Sequence, residues 1–167
     1  MRRISCTILA LLLASSLYGC GKKDNIRVPV NFYYCTNLIN YNSSDGVVSC
    51  EIRDASGYES NHTELLSLYL KGPVSDGFRS PFPTNVQIES LKQSNDAVTI
   101  ILSNDFFQLT GRDQTLAHTC LSLTVMDLYQ CETVQITSAD LLSNNSYIEL
   151  NRDDFLFLDE YQKQIHP

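Results

Sequence analysis

The side chains able to do chemistry in this chain are six cysteines, three histidines and 19 carboxylates. A cysteine beside a histidine is the arrangement of an activated thiol, and His118 stands two residues before Cys120. Both fall in a helical stretch, where residues two apart do not share a face, so the pair cannot exchange a proton. His118 therefore reads as a surface residue next to a core cysteine. His62 belongs to the first turn of an earlier helix, and His166 is the penultimate residue. Neither His-Glu-x-x-His nor Gly-x-Ser-x-Gly occurs, so the zinc-hydrolase and serine-nucleophile patterns are absent. Asp153-Asp154 and Asp159-Glu160 have the charge to hold calcium but lack EF-hand spacing, and read as a solvated acidic face. The segment Gly72-Pro73-Val74-Ser75-Asp76-Gly77 has neither the lysine nor the following helix of a phosphate cradle. The sequence thus assigns no catalytic residue, no metal and no cofactor.

The most informative cysteine is Cys20. Arg2 and Arg3 precede an apolar run from Ile8 to Leu13, and small residues lead to Gly19. A basic start, roughly 10 apolar or small residues and a small-residue exit form a secretory signal, too short for the roughly 20 residues of a spanning helix. Leu17-Tyr18-Gly19-Cys20 resembles the lipobox of bacterial lipoproteins. That resemblance implies cleavage before Cys20 and acylation of its thiol, with palmitate as a fitting chain. The alternative is ordinary secretion, with Cys20 as one more disulfide cysteine. Residues 1–19 are then the signal, and 20–27 a lipid anchor and short tether. About seven extended residues reach roughly 25 Å, which keeps the domain close to the membrane face.

Processing also removes Cys6, leaving Cys35, Cys50, Cys120 and Cys131. An even number outside the cytosol is compatible with disulfides. Cys35 with Cys50 is the favoured pair, because both lie in neighbouring strand-like runs. Cys120 and Cys131 would be about 16 Å apart on a continuous helix, beyond disulfide reach, and the alternative is two buried thiols. Loss of Arg2 and Arg3 leaves 10 basic against 19 acidic residues, a net charge of about −9. So acidic a surface excludes nucleic acid as a natural partner and is repelled by anionic lipid.

The elements follow from periodicity. Val28–Cys35 and Val47–Ile52 read as strands around a turn-rich segment from Asn37 to Gly46. Asn61 with Glu64 is a capping box, opening a helix that Gly72-Pro73 stops. Val86–Glu89 alternates, Gln93-Ser94-Asn95-Asp96 turns the chain, and Ala97–Leu102 is the most apolar run of the mature chain. From Asp113 to Tyr129, Leu116, Cys120, Leu123, Ala117, Leu121 and Leu128 form one broad face to cover a sheet, before a strand at Thr133–Thr137. The predicted fold is α+β: one mixed sheet covered by two helices in the order β-β-α-β-β-α-β. The domain spans 28–140. Residues 141–167 form a C-terminal extension whose apolar residues either dock as an added strand and helix or form a partner patch.

Leu65-Leu66, Leu70-Lys71-Gly72-Pro73, Ser80-Pro81-Phe82-Pro83 and Val86-Gln87-Ile88 together resemble the GerMN domain, the sporulation and spore-germination domain of bacterial lipoproteins. Val98–Phe106, Leu123-Thr124-Val125-Met126 and Val134-Gln135-Ile136 continue the resemblance. It implies structural roles for Gly72, Pro73, Ser80 and Pro83. It also implies a non-catalytic binding or scaffolding module in the cell envelope, lipid-anchored outside the cytoplasm, with an envelope protein or peptidoglycan as ligand and a place in sporulation or germination. The alternative is a cell-wall hydrolase, or an accessory to one.

Overall fold

A computed structural model of the chain describes residues 27–37 and 47–155. The signal, Cys20, the tether, most of the Asn37–Gly46 turn, and the tail residues from Leu156 onward, with Asp159-Glu160 and His166, lie outside the described residues.

The class is α+β, in the order β1 (Pro29–Thr36), β2 (Val48–Asp54), α1 (His62–Leu70), β3 (Phe78–Arg79), β4 (Ile88–Ser94), β5 (Ala97–Leu102), α2 (Gly111–Tyr129), β6 (Thr133–Thr137), α3 (Ala139–Ser143) and β7 (Ile148–Asn151). The expected succession of strands and helices is present. The strands, however, divide between two sheets, β2-β1-β3 and β4-β5-β6-β7, instead of joining in one. The physical reason is α2. Seven consecutive residues, Cys120 to Met126, are buried, close to two full turns, so the helix is enclosed all round and not laid along one face. It packs on β1 on one side and on β5 and β6 on the other.

β1 shows why both of its faces are covered. Side chains alternate along a strand, and Phe32 and Tyr34 meet the Tyr69 ring of α1 at 5.1 and 5.0 Å. Asn31 and Tyr33, on the opposite face, reach Asp127 of α2. In the second sheet β5 and β6 run parallel with Val98 beside Val134 and Ile100 beside Ile136, all fully buried. The β4–β5 hairpin turns through only Asn95 and Asp96, because Ser94 pairs with Ala97. Asn95 takes a left-handed φ of 49°, which asparagine tolerates and a tight hairpin loop needs. This is why β4 runs on to Ser94 where turn residues alone suggested an earlier end. Residues 139–155 add α3 and β7, which pairs antiparallel with β6, and Phe155 packs against the core.

Asn61 caps α1, its side chain accepting from the Glu64 N–H at 3.2 Å and donating to the Glu64 carboxylate at 2.9 Å. One side chain of the core is less well served. Ser122 Oγ is fully buried without a hydrogen-bond partner. A stranded hydroxyl costs about 1–3 kcal/mol. Ser122→Ala is therefore expected to raise the melting temperature by a few degrees, read by differential scanning calorimetry.

Candidate functional site

The site begins at an incomplete strand edge. β3 pairs with β1 only at Cys35 and Thr36, so no strand among the described residues lies beside Pro29–Tyr34 on that edge. At Tyr33 side chains take the place of a strand: its N–H donates to Thr124 Oγ1 at 2.9 Å, and its C=O accepts from the Tyr69 hydroxyl at 2.7 Å. Further toward Val28 the edge opens into a cleft of about 510 Å³. Val28–Phe32 form one wall, Tyr58, Glu59, His62 and Leu65 another, and Asp127, Leu128 and Gln130 at the end of α2 a third.

Asp127 is the charged centre of this recess. Its carboxylate accepts from Asn31 Nδ2 at 3.1 Å and Tyr33 Oη at 2.8 Å, and Arg152 Nη2 stands 3.4 Å away. Burial, then the hydrogen bond to Asp127, pushes the Tyr33 hydroxyl well above the usual phenol range, so it stays a proton donor. The His62 ring sits edge-on to Tyr129 at 4.8 Å, and Glu59 accepts from the Gly57 N–H at 2.9 Å. Such a recess offers fixed polar groups on an aromatic and aliphatic background, the composition of a site for a polar ligand. These three partners hold the Asp127 carboxylate in a fixed orientation.

The residues singled out from sequence fall elsewhere, except His62. Cys35 and Cys120 are in the core, Cys131 is buried just beyond α2, and Cys50 is half-buried; the structure shows no disulfide among the four. The favoured pairing of Cys35 with Cys50 is corrected by the register. Cys50 lies opposite Tyr33, and Cys35 opposite Val48. Cys35 and Cys50 are thus diagonal neighbours, about 7–8 Å apart, where a disulfide needs Cβ atoms within about 4.5 Å. His118 is not a surface residue either: it is half-buried, 5.2 Å from Phe106, and desolvation lowers its pKa. Such an imidazole takes up its proton less readily folded than unfolded, so stability is lost as pH falls through the unfolded value of about 6.5. Thermal melts are expected to show a fall in stability from pH 7 to 5 that is smaller in His118→Leu. No group of three potential metal ligands occurs among the described residues, and no described helix is long and apolar enough to cross a membrane.

Gly72, Pro73, Ser80 and Pro83 lie away from the cleft, around the exit of α1. Gly72 has a φ of 108°, which side chains resist, and a Cβ there would meet Ser80 Cβ at 3.5 Å. Ser80 Oγ accepts from the Phe82 N–H at 3.1 Å, and the Pro83 carbonyl accepts from Val86 at 3.3 Å. The Gly72 carbonyl accepts from Arg53 Nη2 at 2.7 Å, fastening this exit to β2.

The sequence profile of the Germane family, described as sporulation and spore germination, matches residues 32–140. The chain belongs to this family. The first GerMN domain of the sporulation protein GerM from Bacillus subtilis superposes with a TM-score of 0.53 at 19% identity, covering 67% of this chain and 83% of the other. The tandem GerMN domains of the same protein give 0.50 at 20% identity over 66% of this chain and 38% of that one. At such identities the likeness is one of fold. No curated protein sequence matches the chain. Within this Germane domain the cleft mixes shared and added parts. Asp127 and His62 fall inside the matched range, whereas the wall residues Val28–Asn31 precede it, and Arg152, which contacts Asp127, follows it on the turn after β7.

The cleft residues Asn31, Tyr58, Glu59 and Asp127, and Arg152 beside Asp127, escaped the sequence reading. One signal was present: Asp127 is the lone charge in the stretch Leu121–Tyr129, within a helix otherwise read as core.

Proposed function

We propose that this Germane-family chain is an extracytoplasmic lipoprotein, held to the membrane by acylation of Cys20, and that its domain is a non-catalytic binding module of the cell envelope. The ligand is an envelope protein or peptidoglycan, and the relatives of the fold favour a role in sporulation. One observation carries the reading: the open end of β1 faces a preformed polar recess whose carboxylate is held in place by Asn31, Tyr33 and Arg152. Rigid, satisfied polar groups suit recognition, because little ordering is left to be done on binding. The acyl anchor would raise the local concentration of the module at its ligand. Nucleic acid does not fit the acidic balance.

The full mature chain incubated with purified peptidoglycan, and separately with solubilised envelope from its own cells, tests this. Retention without release of soluble wall fragments is expected in at least one arm. Glu59→Ala with His62→Ala, which alter the cleft rim, should weaken retention about tenfold, the effect of a loss of about 1.4 kcal/mol. Release of soluble muropeptides would establish the hydrolase reading in its place. Retention that the rim variant leaves unchanged would move the binding surface elsewhere.

A further inference from the structure

β1 and α2 run past one another in step. Asn31 and Tyr33 meet Asp127 at 3.1 and 2.8 Å, and the Tyr33 N–H meets Thr124 Oγ1 at 2.9 Å. Two residues further along the strand, about 6.6 Å, stands Cys35. Four residues back along the helix, about 6 Å, stands Cys120. The matched strides bring Cys35 and Cys120 to the same level of the contact between strand and helix, where both residues are fully buried and each thiol is the largest influence on the other's titration.

We propose that Cys35 and Cys120 are joined by a disulfide in the exported protein, fastening the central strand of the first sheet to the helix enclosed between the sheets. This rests on the extracytoplasmic reading, since such bonds persist only where thiols are oxidised. The other cysteines are badly placed to compete. Cys50 is a diagonal neighbour of Cys35. Cys131 lies past the far end of α2, about 16 Å from Cys120 along the helix.

The chemistry balances through exchange with an external disulfide, such as that of a thiol–disulfide oxidoreductase or oxidised glutathione. The thiolate, not the thiol, is the nucleophile of this exchange. The Cys35 thiolate attacks the oxidant, forming a mixed disulfide and releasing one thiolate. Cys120 then gives up its proton and attacks the Cys35 sulfur, expelling the second thiolate. Two protein thiols are oxidised to one disulfide, and one disulfide of the oxidant is reduced to two thiols. Because both sulfurs are covered in the finished fold, the exchange belongs to the stage at which α2 docks on β1. Afterwards the bond is shielded from reductant.

The test is a peptide map of the full chain recovered from the envelope of its own cells, with free thiols blocked by N-ethylmaleimide before digestion without reductant. The expected result is one crosslinked pair holding Cys35 and Cys120, with Cys50 and Cys131 carrying the label. Cys35 and Cys120 both labelled, or Cys35 joined to Cys50, would overturn the proposal. In a second arm the reduced, unfolded chain is refolded in a glutathione redox buffer. A Cys35–Cys120 bond formed there but missing in cells would refute the bond as a feature of the native protein, and the extracytoplasmic reading with it. No such bond in either arm would refute the pairing and leave the anchor untouched. Reductant is further expected to lower the melting temperature of the oxidised chain by on the order of 10 °C, and to leave the Cys35→Ala/Cys120→Ala chain unchanged.

Discussion

Replacing Tyr69 with alanine is expected to destabilise the domain by about 3–5 kcal/mol, the usual cost of emptying a buried aromatic site. Tyr69 is fully buried, and its ring lies within about 5 Å of Phe32, Tyr34 and Phe82. Its polar atoms matter as much as its volume. The hydroxyl donates to the Tyr33 carbonyl at 2.7 Å, while the Tyr69 carbonyl accepts from the Tyr34 hydroxyl at 2.7 Å. Tyr69→Phe separates the two contributions. It keeps the ring and strands the Tyr33 carbonyl at the edge where no described strand lies beside it, for an expected cost of about 1–3 kcal/mol. Urea denaturation should rank native above Tyr69→Phe above Tyr69→Ala, with an unchanged slope. Equal stability of the native chain and Tyr69→Phe would mean that the strand edge is closed by something other than this phenol.

Glu51→Ala is the second large effect, expected to cost about 3–5 kcal/mol because it leaves a half-buried charge without its partner. Glu51 is only 9% exposed. Its carboxylate accepts from the Ser75 N–H at 2.7 Å, the Val74 N–H at 3.1 Å and Arg53 Nε at 2.6 Å. Arg53 in turn donates to the Gly72 carbonyl and stacks over the rings of Phe32 and Tyr34, at 5.3 and 5.8 Å. The unit therefore ties the chain leaving α1 to β2 and to the aromatic face of β1. In a double-mutant cycle, Glu51→Ala with Arg53→Ala should cost clearly less than the sum of the single changes, since each alone strands the other. Strict additivity would contradict the linkage.

These two clusters also mark what the sequence could and could not reveal. Local signals were legible: Asn61 and Glu64 open α1, Gly72 closes its exit with a positive φ, and Thr133–Thr137 forms a strand between its expected ends. The environment of α2 was not. Its apolar residues read as one broad buried face, yet Ser122 and Thr124 are buried as well, in a helix enclosed on all sides from Cys120 to Met126. Thr124 is tolerated there because it serves the free edge of β1, a partner 91 residues away that no local window contains. The pairing of Cys35 with Cys50 failed for a related reason. Neighbouring strands could be inferred, but not a register that sets them two residues out of step. The cleft was hidden most completely, because Asn31, Tyr58, His62 and Asp127 come from segments that no local pattern joins.

The family places this chain among sporulation and germination domains by sequence and fold, and the cleft at the open end of β1 is where the proposal puts its work. The most direct measurement is site-specific photo-crosslinking in living cells, with the full chain carrying the photoreactive side chain either at His62 in the cleft or at Val74, which is 81% exposed outside it. The expected result is a discrete adduct with a wall glycan or an envelope protein from position 62 and none from position 74, lost when Cys20→Ser releases the chain from the membrane. Identical adducts from both positions, or none from the cleft, would contradict the assignment.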